Sequence, residues 1–149
     1  MNYAKKAPAF VLASAGYDVW LGNSRGNKYS RHHNSLDPDN DFSFWNYTLV
    51  EMGEYDVPSN MNYIIKQTGF QKLAIIGHSQ GTSQILYALA NNMTYMRNHV
   101  SIHLSFAPVS KMNHIKSGIF KLKALHMNFL KFISYAFGVY EFYPDGFLG

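Results

Sequence analysis

The sequence predicts an α/β fold in which a parallel sheet carries helices on both faces. Segments with a strand pattern alternate with segments with a helix pattern, an order that is typical of parallel sheets with right-handed crossovers. Residues 72–76 (KLAII) form an apolar run of the kind that a strand buried on both faces shows. With 47% apolar and 15% charged residues, the chain can build a core and is not expected to be disordered.

The first third of the chain is expected to hold one helix, one strand and a long loop. Residues 8–15 favour a helix, and Gly16 stands where a left-handed residue would end it. Residues 17–21 (YDVWL) are aromatic and β-branched and predict a strand that ends in a turn at Gly22. The polar residues 23–41 predict a loop.

Two further helices are expected before the second strand. They cover residues 48–54 and 57–68, with Asp56 as the N-cap of the second helix and Pro58 in its first turn. Gly69 is expected to end this helix, and the strand at residues 72–76 follows.

The remaining pattern separates two regions. Residues 82–90 predict a helix and residues 100–106 (VSIHLSF) a third strand. After Ser110 no strand pattern follows, and residues 119–137 are helix-like, lysine-studded and rich in Leu, Phe and Met. We therefore predict that residues 1–109 form the central part of the core domain and residues 110–149 begin a helical cap.

Composition excludes several classes of function. The formal charge of +4 is dispersed and no nucleic-acid motif accompanies it, so nucleic acid is not an expected partner. The apolar runs fall far short of the roughly 20 residues of a transmembrane helix, and residues 1–8 lack the pattern of a signal peptide. The chain has no cysteine, which excludes disulfides, zinc–thiolate sites and a cysteine nucleophile. No cofactor and no metal site are expected.

The motif that carries chemistry is Gly77-His78-Ser79-Gln80-Gly81, a match to G-x-S-x-G. In this motif a serine lies on a strained turn between a strand and a helix, with its hydroxyl exposed as a nucleophile. The strand pattern before it and the helix pattern after it supply the context that the motif requires. A β-carbon at Gly77 or Gly81 is expected to clash where the chain reverses.

Ser79 needs further groups, and the sequence offers only some of them. The backbone N–H of Gln80 is expected to be one oxyanion donor, assisted by the positive end of the following helix. A second donor would come from a His-Gly loop before the first helix, and residues 1–10 contain none. The usual order is Ser, then Asp or Glu, then His, yet no carboxylate lies between Asp56 and Glu141.

The histidines have simpler interpretations than that of a base. His103 lies in the middle of a predicted strand, where a hydrogen-bonded core histidine is the expected role. We assign His78, the variable position of the motif, to packing or orientation. His32 and His33 are adjacent in a polar loop without nearby carboxylates, which argues against a metal pair. The other histidines that follow Ser79 are His99, His114 and His126.

The chain resembles a known family, the acid lipases, which are α/β-hydrolases that include gastric and lysosomal lipases and steryl-ester hydrolases. The resemblance covers collinear motifs: GYDVWLGNSRGN at residues 16–27, the following YSR, FSFWNYT with EMGEYDVP to residue 58, GHSQGT at 77–82, FAPVS at 106–110 and FYP at 142–144. It implies a partial α/β-hydrolase fold with Ser79 as nucleophile and Gln80 as oxyanion donor. It also implies that the catalytic Asp and His lie beyond Gly149 and that the His-Gly loop lies before Met1.

The resemblance further implies the substrate and the setting. We expect hydrolysis of acylglycerols or steryl esters through an acyl-enzyme, in lipid catabolism, in a secreted protein or in the lysosomal or endomembrane lumen. Asn46 and Asn92 begin glycosylation sequons that matter only in an exported protein. The loop at residues 23–27 is interpreted as structural, with phosphate binding by Arg25 as the weaker alternative.

Other functions stay open at this point. The cap helix could cover an acyl-binding cleft or meet a lipid–water interface through apolar residues, or it could simply pack on the core. The apolar residues in question are Phe120, Leu122, Leu125, Met127, Phe129, Leu130, Phe132 and Ile133. A non-catalytic lipid-binding or interaction protein of the same fold is the main alternative. Thioesterases, acyltransferases and peptidases also use such serines.

Overall fold

The structure, a computed structural model, describes residues 6–111 and 114–136. The predicted cap residues Glu141 and Asp145 and the FYP motif lie outside the described residues. The elements follow one another along the chain as α1 (Pro8–Ser14), a 3-10 helix (Phe42–Trp45), α2 (Leu49–Glu51), a π-helix (Met52–Asp56), α3 (Val57–Thr68), β1 (Leu73–His78), α4 (Gln80–Asn91), α5 (Met93–His99), β2 (Val100–Phe106), α6 (Gly118–Leu125) and α7 (Met127–Ala136).

The sheet consists of two parallel strands among the described residues. β1 pairs with β2 from Leu73 opposite Val100 to His78 opposite Phe106, with an irregularity at Leu73 and Ala74. The two later strands predicted from sequence and their parallel arrangement are thereby confirmed. Because the strands are parallel, their carboxyl ends meet at one edge of the sheet, and ligands of open α/β sheets bind at that edge.

The core lies on one face of this sheet. Met61 of α3, Ile85 and Ala88 of α4 and Met96 of α5 are buried together, and Leu73, Ile75 and Val100 of the strands pack against them. Burial alternates along β1 instead of being continuous. Four apolar residues on the opposite face are exposed in the described structure, namely Ile76, Ile102, Leu104 and Phe106.

The strand predicted at residues 17–21 is not formed in the described structure. A strand needs a neighbour that pairs its backbone groups, and the described sheet contains only β1 and β2. Trp20 instead packs edge to face on Tyr63 of α3, with ring centroids 5.9 Å apart, and its indole N–H donates to Asp18. The aromatic character that suggested a strand therefore serves a contact with α3.

α2, the π-helix and α3 form one continuous helical run from Leu49 to Thr68. The run begins at a capping box in which the Thr48 hydroxyl accepts from the Val50 N–H and the Thr48 N–H donates to Glu51. The prediction that Asp56 is an N-cap is wrong. Asp56 has helical backbone angles, makes no cap hydrogen bond, and its carboxylate is bound by Arg25.

Two other helical segments differ from the expectation. α5 was not predicted; it buries Met96 and places the basic Arg97 and His99 in its last turn, where the helix dipole favours them. The single helix expected at residues 119–137 is two helices, α6 and α7, because the chain leaves the helical conformation at His126. No helix within the described ranges combines the length and the apolar character that crossing a bilayer requires.

Candidate active site

Ser79 occupies the tight turn between β1 and α4. His78 is the last residue of β1 and Gln80 the first of α4, so the reversal takes place at one residue. The backbone of Ser79 has φ 51° and ψ −118°, which are unfavourable for a residue with a β-carbon. The side chain is exposed. The strand-to-helix turn expected from G-x-S-x-G is therefore present, with its serine accessible.

The two glycines of the motif differ in their steric role. A β-carbon at Gly77 would lie 2.9 Å from the Cα and N of Thr82 and 2.9 Å from Cδ1 of Ile85. The backbone atoms of α4 cannot yield, so Gly77 allows α4 to fold back against the end of β1. A β-carbon at Gly81 would meet no heavy atom within 4 Å in the described structure, so the clash expected there is wrong.

The start of α4 lies at the carboxyl end of β1, beside Ser79. Gln80 is the first helical residue, and the first N–H groups of a helix have no acceptor within the helix. The side-chain amide of Gln80 donates to Sδ of Met52 at 3.5 Å. Because the backbone N–H of Gln80 is one of these first N–H groups, it remains the predicted oxyanion donor.

The backbone of Ser79 is held on both sides. Its N–H donates to the carbonyl oxygen of Phe106 at 3.0 Å, which ties the turn to the end of β2. Its carbonyl oxygen accepts from the N–H of Thr82 at 3.0 Å and from the Thr82 hydroxyl at 2.6 Å. A strained backbone persists only where its surroundings hold it, and these three hydrogen bonds do so.

The described histidines do not provide a base for Ser79. No hydrogen bond joins Ser79 Oγ to another side chain in the described part of the molecule. His103 lies opposite Ile75, four residues before Ser79, which places it roughly 13 Å away along the strand. Its Nε2 lies 3.1 Å from the Ser105 hydroxyl, and burial lowers the pKa of its imidazole. The ring contact expected for His103 is thus present, but the side chain is only half-buried and lies outside the buried core.

The other histidines also have local contacts or lie in solvent. Nδ1 of His99 lies 2.9 Å from the carbonyl oxygen of Gln71, at the end of the sheet away from Ser79. Nδ1 of His33 accepts from the backbone N–H groups of Ser35 and Leu36, so this ring organises its own loop. Exposed side chains are found at His78, His114 and His126.

The loop at residues 23–27 is attached to the helices behind the site through Arg25. The guanidinium of Arg25 donates to Oδ1 of Asp56 at 2.7 and 2.9 Å, and its backbone N–H donates to Oδ2 at 2.9 Å. The hydrogen bond with Asp56 raises the pKa of Arg25 above its usual value. Cζ of Arg25 lies 5.9 Å from the ring centroid of Tyr47 and 5.7 Å from that of Tyr55. Arg25 is thus engaged with a carboxylate, which supports the structural interpretation against phosphate binding.

A second contact joins the same loop to α4. The Ser24 hydroxyl donates to Oε1 of Gln84 at 3.0 Å, and the Gln84 amide donates to Sδ of Met52 at 3.2 Å. Met52 thereby receives the amides of both Gln80 and Gln84. The loop, the π-helix and the first turns of α4 form one connected unit behind the turn at Ser79.

An open groove of about 840 Å³ runs along β1. Its walls include Trp20, Arg25, Met61, Ile75 and Gln80, whereas Ser79 is not among its lining residues. The groove therefore follows the edge of β1 and not the hydroxyl of Ser79.

The remaining predicted positions lie on the surface. The side chains of Asn46 and Asn92, the two sequon asparagines, are both exposed. Across residues 6–111 and 114–136, no group of three or more His, Cys, Asp or Glu side chains could hold a metal ion.

Sequence reasoning missed two residues beside the turn, Thr82 and Ser83. Thr82 is completely buried, and its hydroxyl accepts from the Val109 N–H at 3.0 Å while it donates to Ser79. The Ser83 hydroxyl donates to the carbonyl oxygen of Val109. A hydroxyl residue on the inner side of the first turn of α4 was the available signal, but nothing local indicated its partner 27 residues later.

Comparison with known proteins gives one family match and several curated relatives. Residues 6–129 match the α/β hydrolase fold family. The chain is 40% identical to human gastric triacylglycerol lipase over 146 residues, which are 98% of this chain and 35% of that protein. It is 41% identical to the bovine gastric triacylglycerol lipase over 147 residues, 99% of this chain and 36% of that protein.

A third relative has a second substrate in its name. The chain is 36% identical to human lysosomal acid lipase/cholesteryl ester hydrolase over 144 residues, 97% of this chain and 35% of that protein. The chain thus spans about a third of the length of the curated relatives that it matches.

Proposed function

The chain belongs to the α/β-hydrolase fold family, among the acid lipases, and on that premise we propose that it supplies the nucleophile of a lipid ester hydrolase. The observation that carries the proposal is the exposed Ser79 on a positive-φ turn between β1 and α4. An elbow of this kind presents a serine hydroxyl to a substrate while the following helix directs its positive end at the same place.

The chemistry follows from this placement. Oγ of Ser79 attacks the ester carbonyl carbon, its proton passes to a base, and the alcohol leaves to give an acyl-enzyme that water then hydrolyses. The negative charge that develops on the carbonyl oxygen is stabilised by the N–H of Gln80 and the start of α4. Donors of this kind are worth about 3 kcal/mol each in serine hydrolases.

In this proposal the chain is part of a longer protein, similar in length to the relatives, and the base and its carboxylate lie in other segments of that protein. Two observations support this assignment. The chain covers 35% of human gastric lipase, and no Asp or Glu lies between Asp56 and Glu141. We therefore propose that other segments contribute the residues that orient and deprotonate Ser79.

The substrate class is proposed from the relatives and from α6 and α7. Relatives are named for triacylglycerols and for cholesteryl esters, and we extend these substrates to this protein. Large apolar side chains of α6 and α7 are exposed and suit contact with a lipid–water interface. They are Ile119, Leu122, Leu125, Met127, Phe129, Leu130, Phe132 and Ile133. On this basis residues 110–149 are proposed as the start of a cap on the core formed by residues 1–109.

A secreted or lysosomal setting is proposed on the same basis, since gastric and lysosomal lipases are among the relatives. Both sequon asparagines, Asn46 and Asn92, are exposed and accessible to a glycosyltransferase. Expression through the secretory pathway should then give a protein whose mass falls when either asparagine is replaced by glutamine, and an unchanged mass would contradict glycosylation.

The proposal is tested with the full-length protein that carries this chain. Its hydrolysis of p-nitrophenyl esters and of emulsified triacylglycerol is compared with that of a Ser79→Ala variant and of Ser59→Ala, a control at an exposed serine of α3. We expect Ser79→Ala to lose about 10⁴-fold or more in kcat while Ser59→Ala keeps it. Covalent labelling by a fluorophosphonate should map to Ser79.

The outcomes separate the candidate functions. Activity that survives Ser79→Ala overturns the assignment of the nucleophile. A full-length protein that binds lipid vesicles, but neither hydrolyses esters nor reacts with the fluorophosphonate, is the non-catalytic lipid-binding protein of the alternative reading.

A further inference from the structure

The hydroxyl of Thr82 lies at the centre of the contacts that hold the turn at Ser79. Thr82 has 0% of its surface exposed, and it lies in the first turn of α4. Its hydroxyl donates to the carbonyl oxygen of Ser79 at 2.6 Å and accepts from the N–H of Val109 at 3.0 Å. Both functions of this buried hydroxyl are therefore used, one on the turn and one on the loop after β2.

The backbone of Ser79 requires such support. A positive φ in a residue with a β-carbon costs about 1–2 kcal/mol, and it persists only when neighbouring groups determine it. Thr82 supplies two of the three hydrogen bonds to the backbone of Ser79, through its N–H and its hydroxyl. The third, from Ser79 to Phe106, depends on the position of the chain at the end of β2.

The loop after β2 is held by the same helical turn. Val109 has both of its backbone groups bound by consecutive hydroxyls of α4, its N–H by Thr82 and its carbonyl oxygen by Ser83. Ala107, between Phe106 and this attachment, also has a positive φ of 48°. The turn at Ser79 and the loop at residues 107–109 are thus fixed to each other through Thr82.

We propose that Thr82 is a positioning residue for Ser79: its hydroxyl fixes the peptide group of the nucleophile and the loop at residues 107–109 before substrate binds. This inference rests on the proposed function. Thr82 does not touch the substrate in this role. It sets the direction in which Oγ of Ser79 leaves the turn, and a displacement of about 1 Å at a nucleophile can cost on the order of 100-fold in rate.

Three variants of the full-length protein test the proposal. Thr82→Val keeps the shape of the side chain and removes the hydroxyl, whereas Thr82→Ser keeps the hydroxyl and removes the methyl group. Thr68→Val is the matched control, because the Thr68 hydroxyl also donates to a carbonyl oxygen, that of Ile64, and accepts from an N–H, that of Phe70. Thr68 lies at the end of α3, away from the turn.

Steady-state kinetics with a short-chain ester give the decisive readout. We expect Thr82→Val to lower kcat about 10- to 100-fold with KM changed less than about twofold, and to lower the fluorophosphonate labelling rate in parallel. Thr82→Ser should keep kcat within about threefold of the unsubstituted protein, and Thr68→Val should leave kcat unchanged. Circular dichroism under the assay conditions verifies that each variant is folded.

Several results would overturn the proposal. One is a Thr82→Val variant with unchanged kcat, and another is a Thr82→Ser variant that loses as much as Thr82→Val, which would assign the effect to packing of the methyl group. A loss of kcat fully accounted for by a smaller folded fraction would overturn it as well. An unsubstituted protein without Ser79-dependent hydrolysis refutes the proposed function, and this proposal with it, whereas an active protein with an indifferent Thr82→Val variant refutes this proposal alone.

Discussion

Ser79 and Ala107 occupy matching positions at the carboxyl ends of the two parallel strands. Each follows the last pair of the register, His78 opposite Phe106, and each has a positive φ, 51° for Ser79 and 48° for Ala107. The N–H of Ser79 donates to the carbonyl oxygen of Phe106, the residue before Ala107, so the turn at Ser79 is tied to the end of β2. After each of the two strands the chain thus turns away from the sheet at the same level, beside the first turn of α4.

Replacing Ala107 by glycine is expected to stabilise the fold. Glycine adopts a positive φ without a steric cost, which removes about 1–2 kcal/mol of strain and exceeds the roughly 0.5–1 kcal/mol of extra chain entropy. We expect the free energy of unfolding in urea to rise by about 0.5–1 kcal/mol. Ala15→Gly is the control, because Ala15 is exposed with φ −85° and gains nothing from glycine. A loss of stability in Ala107→Gly would show that the strain is absent.

The two glycines of the elbow should respond differently to alanine. In Gly77→Ala the new methyl group would press on backbone atoms of Thr82 at 2.9 Å, and we expect a loss of about 1–3 kcal/mol in the free energy of unfolding. In Gly81→Ala the methyl group has open space, and alanine in a helix is favoured by about 0.5–1 kcal/mol. Chemical denaturation of the two variants checks the contrast, and equal losses would contradict it.

The elements that sequence predicts well are those whose signal is local. The turn at Ser79 follows from five adjacent residues and from the patterns that flank them, and β2 follows from a run of seven residues. The helix end at Gly69 also depends on one residue, which has φ 76°. In each case the residues that make the structure are neighbours in the chain.

Contacts between distant segments were not predictable from one sequence. The local context of Asp56 predicts a helix cap, whereas its partner Arg25 lies 31 residues earlier in the chain. Thr82 and Val109 are 27 residues apart. The strand expected at residues 17–21 failed for a related reason, since a strand pattern forms a strand only where another strand pairs with it.

The pair formed by Arg25 and Asp56 should stabilise the fold more than a surface pair does. Asp56→Asn removes the charge from an acceptor whose side chain is only 12% exposed and that receives three hydrogen bonds from Arg25. We expect a loss of about 1.5–3 kcal/mol in the free energy of unfolding. In the control, Asp39→Asn, the side chain that binds Arg31 is 75% exposed, and the loss should stay below about 1 kcal/mol. Similar losses in both variants would show that burial of the pair does not increase its contribution to the free energy of unfolding.

Burial of His103 in β2 should make the fold less stable as the pH falls below about 6.5, the ordinary pKa of histidine. Burial lowers the pKa of His103 in the folded protein, so the unfolded chain takes up a proton at a higher pH than the folded chain does. The free energy of unfolding is therefore unaffected by this group above about pH 7.5, and it decreases as the pH falls toward the pKa of the folded state. In His103→Gln this component of the decrease should disappear. Urea denaturation at several values between about pH 7.5 and pH 5 measures both slopes, and identical slopes for the two proteins would refute the coupling.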